Sequence, residues 1–307
     1  KRIPDELYAD LALVNGKIAT MDGGDSLAEA VACKGEKIIK VGTSQEVDAY
    51  IGKHTEVIDL KGKLVTPGFV DTHVHFSSGG RNVRKVDLRY VRSMDALIEA
   101  IKKKAETFPK GMWIQGYGYN ESKLKEKRFP NRYDLDKASM DHPISVTRQG
   151  GHDGIRVNSL ALEIAGISKD TPDPVPPSFI MRDPETGEPL GNLREAGAKP
   201  VLDLIAQEPV LTKDEMKEGL VMTDTLMLSW GITSIQEPGA PMDFLPLYRE
   251  LLDEGKLHIR NSFLIAAPSM GRSYHRNERY QVATDLAVEA GYATNFGDNH
   301  LKFAGIK

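Results

Sequence analysis

Two histidines separated by one residue, His73 and His75, stand near the end of an apolar run from Leu64 to Ser77. Successive side chains of a strand point to opposite faces, so the two imidazoles are predicted to project to the same side. Neutral imidazole is a good ligand for Zn²⁺ and similar divalent metals. Two of them at a strand end make half of a metal site. The alternative is a pair of ordinary histidines beside a turn, and the spacing after an apolar strand favours the metal.

The strand that carries these histidines is predicted over 69–76 and is followed by a loop over 77–80. Strands then alternate with helices of 10–20 residues, which is typical of βα units and a parallel sheet. The longest helix is predicted between its N-cap Thr212 and the stop residue Gly231. The further strands are predicted over 232–237, 259–266 and 301–307. A (β/α)8 barrel has eight strands and only four are predicted here, so either the chain is a fragment of a longer protein or the fold is not a barrel. The fragment is favoured, because an open four-stranded sheet would expose an edge strand. An α/β fold containing about strands 1–4 of a TIM-type barrel is therefore expected.

One region precedes the predicted barrel half and another is inserted into it. Residues 1–66 consist of short strands and turns and are expected to form part of a small N-terminal β-sandwich. In this region the pair Asn15-Gly16 predicts a hairpin, because both residues accept a positive φ. Residues 109–206 contain irregular and proline-rich stretches and are interpreted as an insertion that carries substrate loops. The barrel half itself is assigned to 67–108 and 207–307.

Composition narrows the function classes. The net charge is −4 and the basic residues are dispersed, which argues against a nucleic-acid-binding protein. No apolar run approaches the ~20 residues of a membrane span, and the N-terminus lacks the apolar segment of a secretory signal. The single cysteine, Cys33, excludes an internal disulfide and fits a reducing compartment. A cytoplasmic location and a small-molecule partner are expected, and a homo-oligomer is left open.

Three stretches together resemble the amidohydrolase superfamily of metal-dependent hydrolases. They are VTPGFVDTHVH, GHDGIRVNSLAL and GITSIQE, the first with the two histidines and the last ending a predicted strand. The first is specific to the superfamily. The other two are similar to the branch of the N-substituted formamide deformylases, and the likeness extends from Asp10 to Lys307.

The resemblance implies a metal centre at the carboxyl ends of the barrel strands. It makes His73 and His75 the ligands from the first strand, and Lys307 a ligand after CO₂ converts its amine to a carbamate. The alternative for Lys307 is a surface residue. One or two divalent ions are implied, with Zn²⁺ expected, and the general base is an aspartate expected beyond residue 307.

Three more residues are candidates for contacts with a metal ligand or with the substrate. Asp71 shares the face of His73 and is expected either to hydrogen-bond a ligand imidazole or to end a turn. His152 is interpreted as a substrate contact, against a loop histidine bonded to the backbone. Glu237 ends the second barrel strand, where this fold places active sites; its alternative is a salt bridge. Three aromatic residues could line a substrate pocket or belong to the core, namely Trp113, Tyr117 and Tyr119.

The expected reaction is hydrolysis of an amide-like, non-peptide C–N bond by metal-activated hydroxide. Ring deamination and ester hydrolysis are open to the same fold and chemistry. A non-catalytic scaffold is the alternative from another class, since a fold alone never establishes activity.

Overall fold

The computed structural model describes residue 4 and residues 8–150, 154–206, 211–265, 285, 288–289, 291 and 297–306. The chain divides into two compact units. The first comprises residues 1–73, 227–236 and 259–262, and the second comprises residues 74–226, 237–258 and 263–307. Among the described helices, none is both long and apolar enough to cross a membrane.

The amino-terminal part of the first unit is built from short strands and one helix. Its elements are β1 (Leu11–Val14), β2 (Lys17–Ala19), β3 (Leu27–Ala28), β4 (Ala30–Lys34), β5 (Lys37–Gly42), α1 (Ser44–Asp48), β6 (Glu56–Asp59), β7 (Leu64–Val65) and β8 (Phe69–Asp71). The strands form a sheet in the order β5-β4-β1-β6 and a smaller one in the order β3-β2-β7. Ile18, Val31 and Leu60 belong to one buried cluster with contributions from both sheets. The predicted β-sandwich stays an expectation.

The predicted hairpin at Asn15-Gly16 is wrong, because β1 and β2 lie in different sheets. Asn15 does adopt the positive φ of 55° that its type favours. However, the Gly16 amide donates to the carbonyl of Glu29 at 2.9 Å, and the Asn15 amide donates to the Ser44 hydroxyl at 3.1 Å. These hydrogen bonds, to residues distant in the sequence, direct the chain from the first sheet into the second, so no hairpin forms.

Cys33 lies on β4 and is a free, half-buried cysteine. Burial raises the pKa of its thiol above the usual value, because a low-polarity surrounding disfavours the thiolate. This agrees with a structural thiol.

The second unit contains most of the helices. Its elements, with those that reach into the first unit, are α2 (Ser77–Arg81), β9 (Val86–Asp87), α3 (Met94–Ala105), β10 (Ile114–Tyr119), α4 (Arg132–Asp136), β11 (Ile144–Arg148), β12 (Ile155–Val157), α5 (Ser159–Ile164), β13 (Phe179–Arg182), β14 (Pro189–Arg194), α6 (Lys199–Ile205), α7 (Lys213–Ser229), β15 (Ile232–Ala240), α8 (Leu245–Asp253), β16 (Arg260–Ile265) and β17 (Leu301–Ile306). Short 3₁₀ helices are found over Glu121–Lys123, Glu195–Gly197 and Met242–Phe244.

A six-stranded sheet in the order β13-β14-β12-β11-β10-β9 organises residues 86–194. The strands β9, β10 and β11 are parallel, and the others are antiparallel. Leu88, Leu97, Ile101 and Ile144 belong to a core cluster beside the parallel part and are fully buried. Each such side chain contributes about 1.5–3 kcal/mol of hydrophobic free energy. The predicted insertion over 109–206 supplies all strands of this sheet except β9. The boundaries of the insertion stay a prediction.

The four predicted barrel strands are present as β8, β15, β16 and β17, adjacent in that order in one sheet. The strand β15 is parallel to β8, with Ile235 opposite Asp71. The long helix α7 is also confirmed. The Thr212 hydroxyl accepts from the Glu215 amide at 3.3 Å and the Glu215 carboxylate accepts from the Thr212 amide at 2.8 Å, which is a capping box. The fold is mixed α/β, and closure into a barrel stays an expectation.

Candidate metal centre and adjoining groove

The strand β8 ends at Asp71, five residues earlier than the sequence predicts. The Asp71 carboxylate accepts a hydrogen bond from the His73 backbone amide at 3.0 Å. An aspartate that bonds the backbone two residues ahead forms a turn that competes with the strand ladder. This bond ends the strand at Asp71, and the predicted contact of Asp71 with a ligand imidazole stays a prediction.

His73 and His75 follow β8 in a loop, and both are exposed. Exposure leaves the imidazoles within reach of a solute, and two imidazoles suit the donor set of Zn²⁺, which takes four ligands or three and a water. Over the described residues, no three His, Cys, Asp or Glu side chains come together as metal ligands. The loop would thus supply two ligands of a larger set.

Immediately after His75 the chain becomes buried. Phe76 and Ser77 are 3% and 5% exposed, and the predicted loop over 77–80 is the short helix α2 instead. The Ser77 backbone amide donates to the Glu237 carboxylate at 2.7 Å, and the Ser78 amide donates to the His75 carbonyl at 3.0 Å. These bonds fix the backbone directly behind His75.

Glu237 is fully buried, and both of its oxygens accept hydrogen bonds from the protein. The second donor is the Tyr248 hydroxyl at 2.8 Å. Burial, and then the neighbouring carboxylate, raises the pKa of Tyr248 well above its usual value, so the phenol remains a donor. The Phe76 ring packs against Tyr248 with 5.8 Å between centroids. These contacts hold the backbone that directly follows the loop of His73 and His75, which we call the histidine loop (residues 72–75). The predicted contact of Glu237 with a ligand or substrate stays a prediction.

Glycines bring α2 close to α7. A Cβ placed on Gly79 would lie 1.8 Å from the Thr223 hydroxyl oxygen, and one on Gly219 would lie 2.8 Å from the Gly79 carbonyl oxygen. Real Cβ atoms never approach so closely, so the glycines are what permits this contact. We call Phe76–Gly80 together with Glu237 and Tyr248 the anchor.

His75 borders a groove of about 520 Å³ in the second unit. This volume is within the range of small-molecule sites. The remaining lining residues come from α2, the segment after it, β10 and α7, and they are Ser78, Gly79, Asn82, Val83, Lys85, Asp87, Arg89, Tyr90, Tyr117, Gly219, Met222, Thr223 and Leu226.

Sequence reasoning missed the charged face of this groove. Lys85, Asp87 and Arg89 alternate with Val86 and Leu88 over β9 and the residues around it. Leu88 is fully buried in the core, with Val86 packed against the same cluster, whereas the three charged residues line the groove. The charged face could have been found from the alternation of charged and apolar residues, which places every second residue on one face. This alternation extends over only five residues.

The other predicted site residues have mixed outcomes. Trp113 and Tyr119 are core residues, 7% and 0% exposed, whereas Tyr117 lines the groove beside His75. Lys307 and His152 lie outside the described residues. Their roles stay predictions.

Sequence comparisons relate the chain to known proteins. It is 34% identical over 236 residues to the Protein LONG AFTER FAR-RED 3 of Arabidopsis thaliana, covering 77% of this chain and 39% of that protein. It is 36% identical over 191 residues to the N-substituted formamide deformylase of Arthrobacter pascens, covering 62% of this chain and 35% of that protein. The chain thus spans less than half the length of these relatives.

An uncharacterised metal-dependent hydrolase from Pyrococcus furiosus has a similar structure, with a TM-score of 0.61 and 25% identity. The match covers 96% of this chain and 55% of that one. The model of a family described as the amidohydrolase family matches residues 56–307. This range holds the histidine loop, the anchor and the groove, and it covers well over half of the sequence. The chain belongs to the amidohydrolase family.

Proposed function

We propose that the protein is a metal-dependent hydrolase that cleaves an amide-like, non-peptide C–N bond. The observation that carries the proposal is the exposed pair His73 and His75 at the carboxyl end of β8, in a chain of the amidohydrolase family. The relative named N-substituted formamide deformylase supports an amide-like substrate. The relative from Pyrococcus furiosus, an uncharacterised metal-dependent hydrolase, supports the metal.

In this proposal His73 and His75 hold one or two divalent ions as neutral imidazoles, with Zn²⁺ as the expected metal. Lys307, as a carbamate, is the proposed third ligand, and an aspartate beyond it is the proposed general base. When bound, the ion lowers the pKa of a water molecule and polarises the scissile carbonyl.

The described residues have three tasks around that centre. Asp71 turns the chain out of β8 through the His73 amide. Glu237 holds the backbone behind His75 through the Ser77 amide. The groove beside His75, with Tyr90 and Tyr117 in its wall, would bind and orient a small substrate and exclude water from one side.

The test replaces each histidine by alanine in the full-length protein. We expect His73→Ala and His75→Ala to lose bound metal and to lose hydrolysis by more than the ~10–100-fold that changes around metal ligands cost. Metal content is measured by mass spectrometry, and activity on a small panel of amides, cyclic ureas, aminopurines and esters. The panel separates amide hydrolysis from deamination and ester hydrolysis.

His54→Ala is the matched control, because His54 is an exposed histidine that lies before β6 in the sequence. It is expected to keep metal and activity. Hydrolysis that survives in both test variants without bound metal would contradict the proposal. A wild-type protein that binds no metal and hydrolyses nothing in the panel would favour the non-catalytic scaffold.

A further inference from the structure

Two cationic side chains line the groove beside His75, and they differ in whether a carboxylate of the protein pairs with them. Lys85 and Arg89 lie on the same charged face, two residues to either side of Asp87. The chemistry that the groove can recognise depends on which of these charges is already neutralised by the protein.

The charge of Arg89 is neutralised within the groove. Its guanidinium donates to the two Asp87 carboxylate oxygens at 2.9 and 2.7 Å, which is the bidentate geometry of a strong ion pair. It also stacks on Tyr90 and Tyr117, with its central carbon 5.5 and 5.6 Å from the ring centroids. Although burial opposes it, this pairing lowers the pKa of Asp87. The guanidinium of Arg89 is therefore already paired with groups of the groove wall.

The charge of Lys85 is not balanced in this way by any described residue. The residue is half-buried, and no carboxylate of the described residues lies within ion-pairing distance of its ammonium group. Burial, and then the nearby positive charge of Arg81, lowers the pKa of its amine. A partly desolvated ammonium without a counter-ion is unfavourable, and an anion that binds beside it removes that cost.

We propose that Lys85 selects substrates that carry a carboxylate on the part of the molecule remote from the scissile amide. His75 and Lys85 both border this groove, and Lys85 also borders a second cavity with Arg81 and Arg84. In the proposal, an amide whose carbonyl lies at the metal extends its other end along the groove toward Lys85. Tyr90 and Tyr117 would flank an apolar middle. The inference rests on the proposed function, and it deepens that function by naming the substrate class as anionic amides.

The test uses two probes that carry a ring between the scissile amide and the far end, 4-(acetamidomethyl)benzoate and its uncharged counterpart 4-(acetamidomethyl)benzamide, in the full-length protein with bound metal. Release of acetate from each is measured with the wild type, Lys85→Met and Lys85→Arg. We expect kcat/KM of the wild type to favour the carboxylate by about 10- to 100-fold, the range for a hydrogen bond to a charged group. Lys85→Met should abolish that preference through KM, and Lys85→Arg should retain most of it.

A binding measurement gives a readout that does not depend on turnover. Phenylpropionate and phenylpropanol, neither of which contains an amide, are titrated calorimetrically into the metal-free protein. We expect only phenylpropionate to bind measurably, and Lys85→Met to weaken it about 10-fold or more. Lys123→Met, which changes an exposed lysine outside the groove, is the control and should change nothing.

The outcomes distinguish this inference from the proposed function. Hydrolysis of both probes with equal kcat/KM, or phenylpropionate binding that Lys85→Met leaves unchanged, would overturn the role of Lys85 and leave the hydrolase standing. Lys85-dependent binding of phenylpropionate without hydrolysis of either probe, in a protein that binds no metal, would overturn the proposed function and the substrate assignment with it.

Discussion

The histidine loop, residues 72–75, and the anchor that follows it are continuous in the chain but have opposite surroundings. His73 and His75 are exposed, whereas Phe76 and Ser77 of the anchor are buried, as are the partners Glu237 and Tyr248. The groups proposed to meet metal are open to solution, and the groups that hold their backbone are enclosed and hydrogen-bonded. In such a site, one set of residues carries out the chemistry and another set holds the backbone in place. Substitutions on the two sides should therefore have different consequences.

The largest effect on stability is expected from Glu237→Ala. The change removes the carboxylate that accepts from the Ser77 amide and the Tyr248 hydroxyl, and only the hydroxyl keeps another hydrogen bond, with the Ser77 side chain. The free energy of unfolding should therefore fall by about 2–4 kcal/mol, because an unsatisfied buried group costs about 1–3 kcal/mol. Metal affinity should also fall, although Glu237 is not a proposed ligand. Urea denaturation and metal titration measure the two effects.

Tyr248→Phe is the companion variant for Glu237→Ala. It removes one donor and leaves the Ser77 bond, so about 1–3 kcal/mol should be lost. By contrast, when both proteins are metal-free, His75→Ala should change the free energy of unfolding by no more than ~0.5 kcal/mol, although the variant no longer binds metal. A Glu237→Ala protein with wild-type stability would contradict the claim that the anchor stabilises the fold and the histidine loop does not.

A smaller effect is expected from Gly79→Ala, which tests the close contact of α2 with α7. The new methyl group would lie 1.8 Å from the Thr223 hydroxyl oxygen, and the resulting shift of α2 should cost about 1–3 kcal/mol. Thermal or urea unfolding measures it. Gly23→Ala is the matched control, because nothing lies within 4 Å of its Cβ position. Equal stability of the two variants would show that α2 has room to move.

The smallest effect concerns the periphery of the anchor, where Arg84 donates to Glu215 on α7 at 2.6 and 2.5 Å. The Arg84 guanidinium, and then the Thr212 amide, lowers the pKa of Glu215 from 4.5 to about 2. A carboxyl with a lowered pKa in the folded state stabilises fully above its unfolded pKa, and that stability is lost as the pH falls toward the folded pKa.

Glu215→Gln should therefore be less stable than the wild type near neutral pH, and the difference should shrink between about pH 4.5 and 2. Denaturation at several pH values measures it. Glu218→Gln is the control, since Glu218 is an exposed carboxylate of the same helix without an ion pair among the described residues. A difference independent of pH would contradict the linkage.

Local patterns in the sequence predicted much of the fold. The helix α7 was predicted from its period and its cap at Thr212, and the strands of the β8 sheet from their alternation with helices. The hairpin at Asn15-Gly16 failed because its turn residues bond Glu29 and Ser44 instead of closing β1 onto β2. A turn signal specifies backbone angles and leaves the strand partner undetermined.

The candidate site was predictable where its signal is local. The spacing of His73 and His75 was enough to single them out. The bond between Ser77 and Glu237 joins residues 160 positions apart, and no short pattern connects them. Lys85 and Arg89 were missed because β9 has only two residues, too few for a period to stand out.

Cys33, on β4 of the first unit, has a practical consequence for measuring motion. It is the only cysteine of the chain, so a thiol reagent attaches at one known point. The thiolate is the reactive form, and burial raises the pKa of this thiol, so alkylation of the folded protein should be slow near neutral pH. At a fixed pH, the rate should rise further when β4 opens and exposes the thiol fully. The kinetics of alkylation therefore report local opening of the first unit, while the second unit, which holds the groove, stays unlabelled.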